Sequence, residues 1–199
     1  MTTAPMKLLR TIRLDRSDTF VFARSAEAGE WASPGSFMFW GEDPAGLEGK
    51  GRAAFRSGFL GLGSYGWSTL AEVAMAAPEQ VEALKGALAA YLTAEHGAPD
   101  VAAGEAAAAE EIAFSASLAD HPLGTVIALQ RSIEPDGSVR ERFRTIKTTL
   151  EPGQNTFAQG CVQPIGFAAE DGENVERIEE VDLVGLMNTK SAAAEKALK

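Results

Sequence analysis

The most chemically suggestive string in the chain is Gly61-Leu62-Gly63-Ser64-Tyr65-Gly66, which fits G-x-G-x-x-G. In dinucleotide-binding folds such glycines let the backbone approach a pyrophosphate at a helix N-terminus, directly after a strand. Here the preceding stretch reads as helical and the surroundings are apolar. A flexible turn before Trp67 is the stronger reading, and nucleotide binding through Gly61–Gly66 the weakest alternative. A second pattern is Arg140, Arg142 and Arg144. At period two these share one face of a strand. Phosphate or nucleic acid would suit such a stripe. The chain as a whole carries −10, however, which favours ion pairing with the acids of residues 170–182 or of the helices over 78–120, within the chain or across a dimer. A third pattern is aromatic: Phe37, Phe39, Trp40, Phe55, Phe59, Tyr65 and Trp67 crowd a short stretch. The plain reading is core. The functional one is a ligand pocket lined by Trp40, Tyr65 and Trp67, with Arg52 or Arg56 as polar anchor.

The remaining candidates are weaker. Ser115, Ser117, Asp120 and His121 lie close in sequence, but nucleophile–base pairs are assembled across a fold, and no G-x-S-x-G elbow is present. Asp120-His121-Pro122 reads as a helix stop. Glu110 and Glu111 diverge by about 100° around a helix and do not make a carboxylate pair. His96 suits a last helical turn. The single cysteine, Cys161, excludes an intramolecular disulfide, and two histidines exclude a histidine cage, so neither metal nor cofactor is expected.

These groups need elements to hold them. Leu8–Leu14 and Thr19–Phe22 read as strands, 25–35 as loop, and Ser36-Phe37-Met38-Phe39-Trp40 as a central strand apolar on both faces. Asp43-Pro44 opens a helix to about Ser57. Residues 67–75 read as a strand. Val81, Leu84, Leu88, Tyr91 and Leu92 mark a helix over 78–96, and a further helix spans 99–119. Thr125–Ile133 and Ser138–Ile146 flank Glu134-Pro135-Asp136-Gly137, the clearest hairpin in the chain. The sum is a single α+β domain over 1–189. Its sheet is antiparallel-dominated and mixed, with helices mainly on one face, and 190–199 form a frayed tail.

The 199 residues are enough for one domain with a real core. The charge is uneven. Residues 67–123 hold nine acids against Lys85 alone, whereas 124–150 hold five basic side chains against three acids. The helices are acidic and the strands basic. No apolar run reaches the roughly 18 residues of a membrane span, and no leader is evident, so a cytoplasmic protein is expected.

Ser36–Gly41, the run Lys50-Gly51-Arg52-Ala53-Ala54-Phe55-Arg56-Ser57-Gly58-Phe59-Leu60-Gly61, the string Tyr65–Leu70, and Arg142-Phe143-Arg144-Thr145 together resemble an uncharacterised bacterial family, a domain of unknown function from proteobacterial genomes. The resemblance covers most of residues 7–147. It implies a small cytoplasmic bacterial protein and supplies no active-site residues.

The expectation is therefore a non-enzymatic accessory or binding protein. It would act through its aromatic and glycine-rich region or its arginine stripe, on a second copy of itself or an unidentified protein partner. The alternatives are a small-molecule enzyme with a pocket near Trp40, Arg56, Tyr65 and Trp67, and a nucleotide or nucleic-acid binder, which the net charge disfavours.

Overall fold

The computed structural model describes residues 5–148 and the pair Phe167–Ala168. The chain divides into two units, Met1–Ala168 and Ala169–Lys199, and all the described residues belong to the first. In chain order the elements are β1 (Met6–Ile12), α1 (Ser17–Val21), β2 (Trp31–Ser33), α2 (Gly49–Ser57), β3 (Phe59–Gly61), β4 (Trp67–Ser68), β5 (Leu70–Ala76), α3 (Pro78–Glu95), α4 (Val101–Leu118), β6 (Val126–Ile133), β7 (Val139–Thr148) and β8 (Phe167–Ala168). Short 3-10 turns occupy Ser36–Phe39 and Pro44–Gly46. The class is α+β. The sheet runs β4-β3-β2-β1-β5-β6-β7, with β8 added beside the end of β7. Its ladders are antiparallel throughout. The one parallel contact among the described residues is an isolated bridge from Ser25 to Trp67.

Register decides what each face does. Leu9 lies opposite Val73, Ala71 opposite Ile127, Leu129 opposite Phe143 and Arg131 opposite Glu141, so these residues share one face. Helix α4 covers part of it. Ala119 and Leu118 pack with Leu9, Val73, Ile127 and Leu129, and Ser115 Oγ donates to the carbonyl of Ala32 at 2.7 Å. Helix α2 lies over β6 on the same face. The stripe Arg140, Arg142, Arg144 has the opposite parity and projects, exposed, from the other face.

Helix α3 begins at Pro78, where Gln80 Oε1 accepts from the Ala77 amide at 2.9 Å, and it packs on α4. Asp100 caps α4 by accepting from Ala103 N at 2.8 Å. The two helices touch through small residues. A Cβ on Gly104 would stand 2.4 Å from Thr93 Oγ1 and 2.9 Å from the carbonyl oxygen of Ala89.

Several expectations are corrected. Residues 19–22 are not a strand but lie mostly in α1: Asp15 Oδ1 accepts from Ser17 N at 2.7 Å, Thr19 Oγ1 bonds the Arg16 carbonyl at 2.7 Å, and these local bonds close a helical turn. Residues 36–40 are not a central strand. Gly35, at φ +67°, bends the chain sharply after β2, and the apolar run coils as a 3-10 turn. The helix expected over 44–57 is split, its first part being the turn capped by Asp43. The segment 25–35 ends in β2, and 58–66 contains β3. Within one chain, the ion pair of the arginine stripe among the described residues is to Glu134 of its own hairpin, from Arg140 at 3.3 Å, and not to the acidic helices over 78–120. The end of the expected domain at 189, the tail 190–199, Cys161 and the acids of 170–182 all lie outside the described residues.

The helix contact gives a paired prediction. Gly104→Ala should destabilise by about 1–3 kcal/mol through overpacking against backbone. Gly86→Ala, with nothing within 4 Å, should instead stabilise by up to about 1 kcal/mol from helix propensity. Urea denaturation of both variants checks the signs.

Candidate functional site

Arg131 is an arginine on the packed face, its side chain 1% exposed. The parity that points Ile127 and Leu129 inward points it inward too. Its guanidinium is fully engaged. Nε donates to Glu141 Oε1 at 2.6 Å. Nη1 donates to the carbonyls of Phe55 at 2.9 Å and Gly58 at 3.4 Å. Nη2 donates to the Pro34 carbonyl at 2.5 Å and to Ser36 Oγ at 3.2 Å. Ser36 Oγ in turn donates to Glu141 Oε1 at 2.5 Å, and Glu111 Oε1 accepts from the Gly35 amide at 3.1 Å. Burial pushes the guanidinium pKa down, and the Glu141 and Glu111 carboxylates push it back. One side chain thus ties β6, β7, the end of α2 and the turn after β2 together.

That turn delivers aromatic side chains to two places. Phe39 points inward, stacked on Trp67 at 5.2 Å and edge-on to Phe55 at 5.3 Å, with the Arg131 guanidinium 5.8 Å from its ring centre. Phe37 points toward the C-terminal end of α3, where it meets His96 at 5.3 Å and Trp40 at 6.3 Å. His96 is 5.1 Å from Tyr91, and Tyr91 stacks flat on Tyr65 at 3.6 Å. The result is a strip of rings running Trp40, Phe37, His96, Tyr91, Tyr65. Met38 fills beside it, its sulfur 3.7 Å from the Tyr91 hydroxyl. Trp40 is 68% exposed and Phe37 buried.

The Tyr65 end of the strip sits on the glycine motif. Residues 62–66 join β3 to β4 as a tight turn, closed by Gly61 N to Gly66 O at 2.8 Å and Tyr65 N to Gly61 O at 2.9 Å. Tyr65 has φ +53°, rare for a bulky residue. The turn does present amides to an anion, and that anion is Glu30. Its carboxylate accepts from Gly63 N at 2.9 Å, Ser64 N at 2.7 Å and Glu27 N at 2.7 Å. A Cβ on Gly61 would lie 2.7 Å from Glu30 Oε2. Burial raises the Glu30 pKa, but the hydrogen bonds from Ser64, Glu27 and Gly63 outweigh it, and the net displacement is downward. Burial pushes both tyrosine hydroxyls up, Tyr65 further by Tyr91, and Tyr91 further by Glu95 against the pull of Arg24.

The sequence candidates are therefore distributed. Trp40 and Tyr65 lie on the strip. Trp67 is buried beneath Phe39. Arg52 and Arg56 are exposed on α2, and the cation near the strip is Arg24, whose Nη1 donates to Ser64 O at 3.0 Å. Arg140 pairs with Glu134 at 3.3 Å across its own hairpin. Ser115 and Ser117 both donate to carbonyls, and His121 is exposed. Three residues of the site escape sequence reasoning: Arg131, Glu30 and Tyr91; His96, read from the sequence only as a last-turn residue, is the C-cap of α3. Arg131 alone left a signal, its parity with Ile127 and Leu129. Among the described residues no group of His, Cys, Asp and Glu could hold a metal ion, and no helix is long and apolar enough to cross a membrane.

An antiparallel α+β fold with a strip of rings that reaches the surface at Trp40, braced by a buried arginine, defines the class. Residues 6–161 match DUF6505, a family of unknown function, and the chain belongs to that family. No curated protein and no solved structure matches the chain.

Two predictions follow from this geometry. Arg131→Met should cost about 3–5 kcal/mol, because it strands Glu141 and the buried carbonyls of Pro34 and Phe55. The double variant with Glu141→Leu should recover part of that loss in chemical denaturation. For Glu30 the folded pKa lies below the ordinary glutamate value of 4.5. Its contribution is present above that value and lost as pH falls through the lowered folded pKa. The melting temperature of Glu30→Gln should therefore lie below wild type at pH 7 and converge on it in acid.

Proposed function

We propose that this is a non-enzymatic binding protein of the bacterial cytoplasm that uses the strip Trp40–Phe37–His96–Tyr91–Tyr65 to hold a protein partner, with no metal or organic cofactor. The observation that carries the reading is Trp40: a tryptophan 68% exposed at the head of a run of ring contacts. Tryptophan and tyrosine dominate the energetics of protein interfaces because they offer large rigid area at low entropic cost. The supporting structure is fixed before any partner arrives, at one end by Arg131 holding Pro34 and Ser36, at the other by Glu30 holding Gly63 and Ser64. Preorganisation of that kind lowers the ordering cost of association. Arg24 and Glu95 give the strip a charged rim near Tyr91. An enzymatic reading gains nothing from Ser115 and Ser117, whose hydroxyls are engaged by backbone carbonyls.

The test is site-specific photocrosslinking in cells. A benzoylphenylalanine at position 40 should give a discrete adduct, whether to another protein or to a second copy, and one at exposed Arg52 should not. Trp40→Ala should then weaken the identified complex by roughly thirtyfold, the effect of an interface hot spot. Equal adducts from both positions, or none from position 40, would overturn the reading. So would a metabolite that shifts Trp40 emission while no protein adduct forms.

A further inference from the structure

The aromatic strip sits among carboxylates. Trp40 is its exposed ring, whereas Phe37 is buried and His96, Tyr91 and Tyr65 are half-buried. Glu42 and Asp43 follow Trp40 almost directly in the chain, and both are exposed. Two ring contacts further on, His96 caps α3 between Glu95 and the short turn to Asp100, both residues exposed as well. The cation near the strip, Arg24, stands at the Tyr91 end and donates to Ser64 O.

Helix α3 adds negative charge of another kind. It is 18 residues long, and its last turn holds no basic side chain. Aligned peptide dipoles leave the C-terminal end of a helix partly negative, so a cation there is favourable. The amides of His96 and Ala98 both donate to Leu92 O, at 3.1 and 3.2 Å. The carbonyls of Thr93, Ala94 and Glu95 accept no backbone hydrogen bond among the described residues. They are acceptors in want of a donor, next to a strip whose exposed tryptophan offers a face that attracts cations.

Given a strip that holds protein, as proposed above, we propose that the segment it holds is cationic: an extended, arginine-bearing stretch of another protein. One guanidinium lies on the face of Trp40 and a second reaches the C-terminal carbonyls of α3. Arginine suits both places better than lysine, because its planar group stacks on a ring while its edge still donates to carbonyls and carboxylates. The same charges turn away an acidic segment or a nucleic acid, whose anions would meet Glu42, Asp43, Glu95 and Asp100.

The test uses the full chain and a fluorescent eight-residue peptide alternating Arg with Ala. Binding should weaken with salt. Trp40→Ala should weaken it by roughly tenfold or more. Ala94 is exposed in the last turn of α3. Ala94→Lys supplies from within the cation that this turn lacks, and should weaken the peptide by about threefold without lowering the melting temperature. Equal binding of the same peptide with citrulline in place of arginine, or unchanged binding to Trp40→Ala, would overturn the proposal. So would spermidine binding as tightly as the peptide, which would make this a site for a free polyamine. So would peptide binding that occurs only in K190Q/K196Q/K199Q, which would give the surface to the basic end of the chain itself. Crosslinking from position 40 separates the cationic segment from the protein-binding strip. An adduct within an arginine-bearing stretch of another protein supports both. An adduct within a stretch that lacks cations, or to a second copy, overturns the cationic segment and leaves the strip standing. No adduct overturns both.

Discussion

Arg131 is the constraint on which the rest of this structure depends. A guanidinium with 1% of its side chain exposed must find partners for five N–H donors without water. It finds them on three separate pieces of chain: Glu141 on β7, Phe55 and Gly58 at the end of α2, and Pro34 with Ser36 after β2. No apolar side chain could perform that task, because the partners are mostly backbone carbonyls that β-ladders and helices leave open. Once the arginine is there, the turn 36–39 has little freedom. Phe37 and Phe39 are consecutive odd positions of that turn, yet they enter different ring clusters. The geometry of the aromatic strip is thus set from beneath by a charge, although the strip itself is apolar.

The glycine turn shows the same logic at smaller scale. Its letters match a phosphate-binding motif, and its amides do converge on an anion. The fold supplies that anion internally as Glu30, and the turn leads into a strand rather than a helix, so no helix N-terminus lies behind the site. Gly61 is needed because the carboxylate comes within contact distance of where its Cβ would be, and Gly66 because the Ser25 backbone passes beside it. The purpose of the turn is to hold Tyr65 at positive φ against Tyr91. A strained backbone supported by two charge-assisted hydrogen bonds is what a positioned contact residue requires.

How much of this was legible in the sequence depended on the range of the forces involved. The 126–148 hairpin was readable because Pro135-Asp136-Gly137 and alternating β-branched residues are local signals. Helices α3 and α4 were readable through spacing and caps. The segment 36–40 misled because apolar composition resembles a central strand, while the deciding facts were the φ of Gly35 and the presence of Leu60, whose Cβ would stand 2.5 Å from a Cβ at that glycine. Strands β2 and β3 are three residues each, too short to carry a period, and exist because β1 is there for β2 to pair with and β2 for β3. The aromatic candidates Trp40 and Tyr65 fell on one surface. Arg52 and Arg56 were nearer in sequence than Arg24, but α2 holds them away from it. Glu30 left no trace, since two of its three backbone-amide partners lie more than thirty residues on.

One rule of parity connects the two surfaces. Along the β6–β7 hairpin, arginine occurs on both faces. At Arg131 it meets Glu141 across the ladder and is sealed by α2, so its charge is neutralised and structural. Arg140, Arg142 and Arg144 lie on the opposite face, where their side chains are exposed and Arg140 pairs with Glu134. A one-residue slip of β7 against β6 would exchange these roles, setting stripe arginines under α2 and Glu141 in solvent. The Pro-Asp-Gly turn prevents that slip: Asp136 binds Ser138 and Gly137 bonds back to Glu134. The same four-residue turn therefore keeps the brace of the aromatic strip inside the fold and the cationic edge outside it.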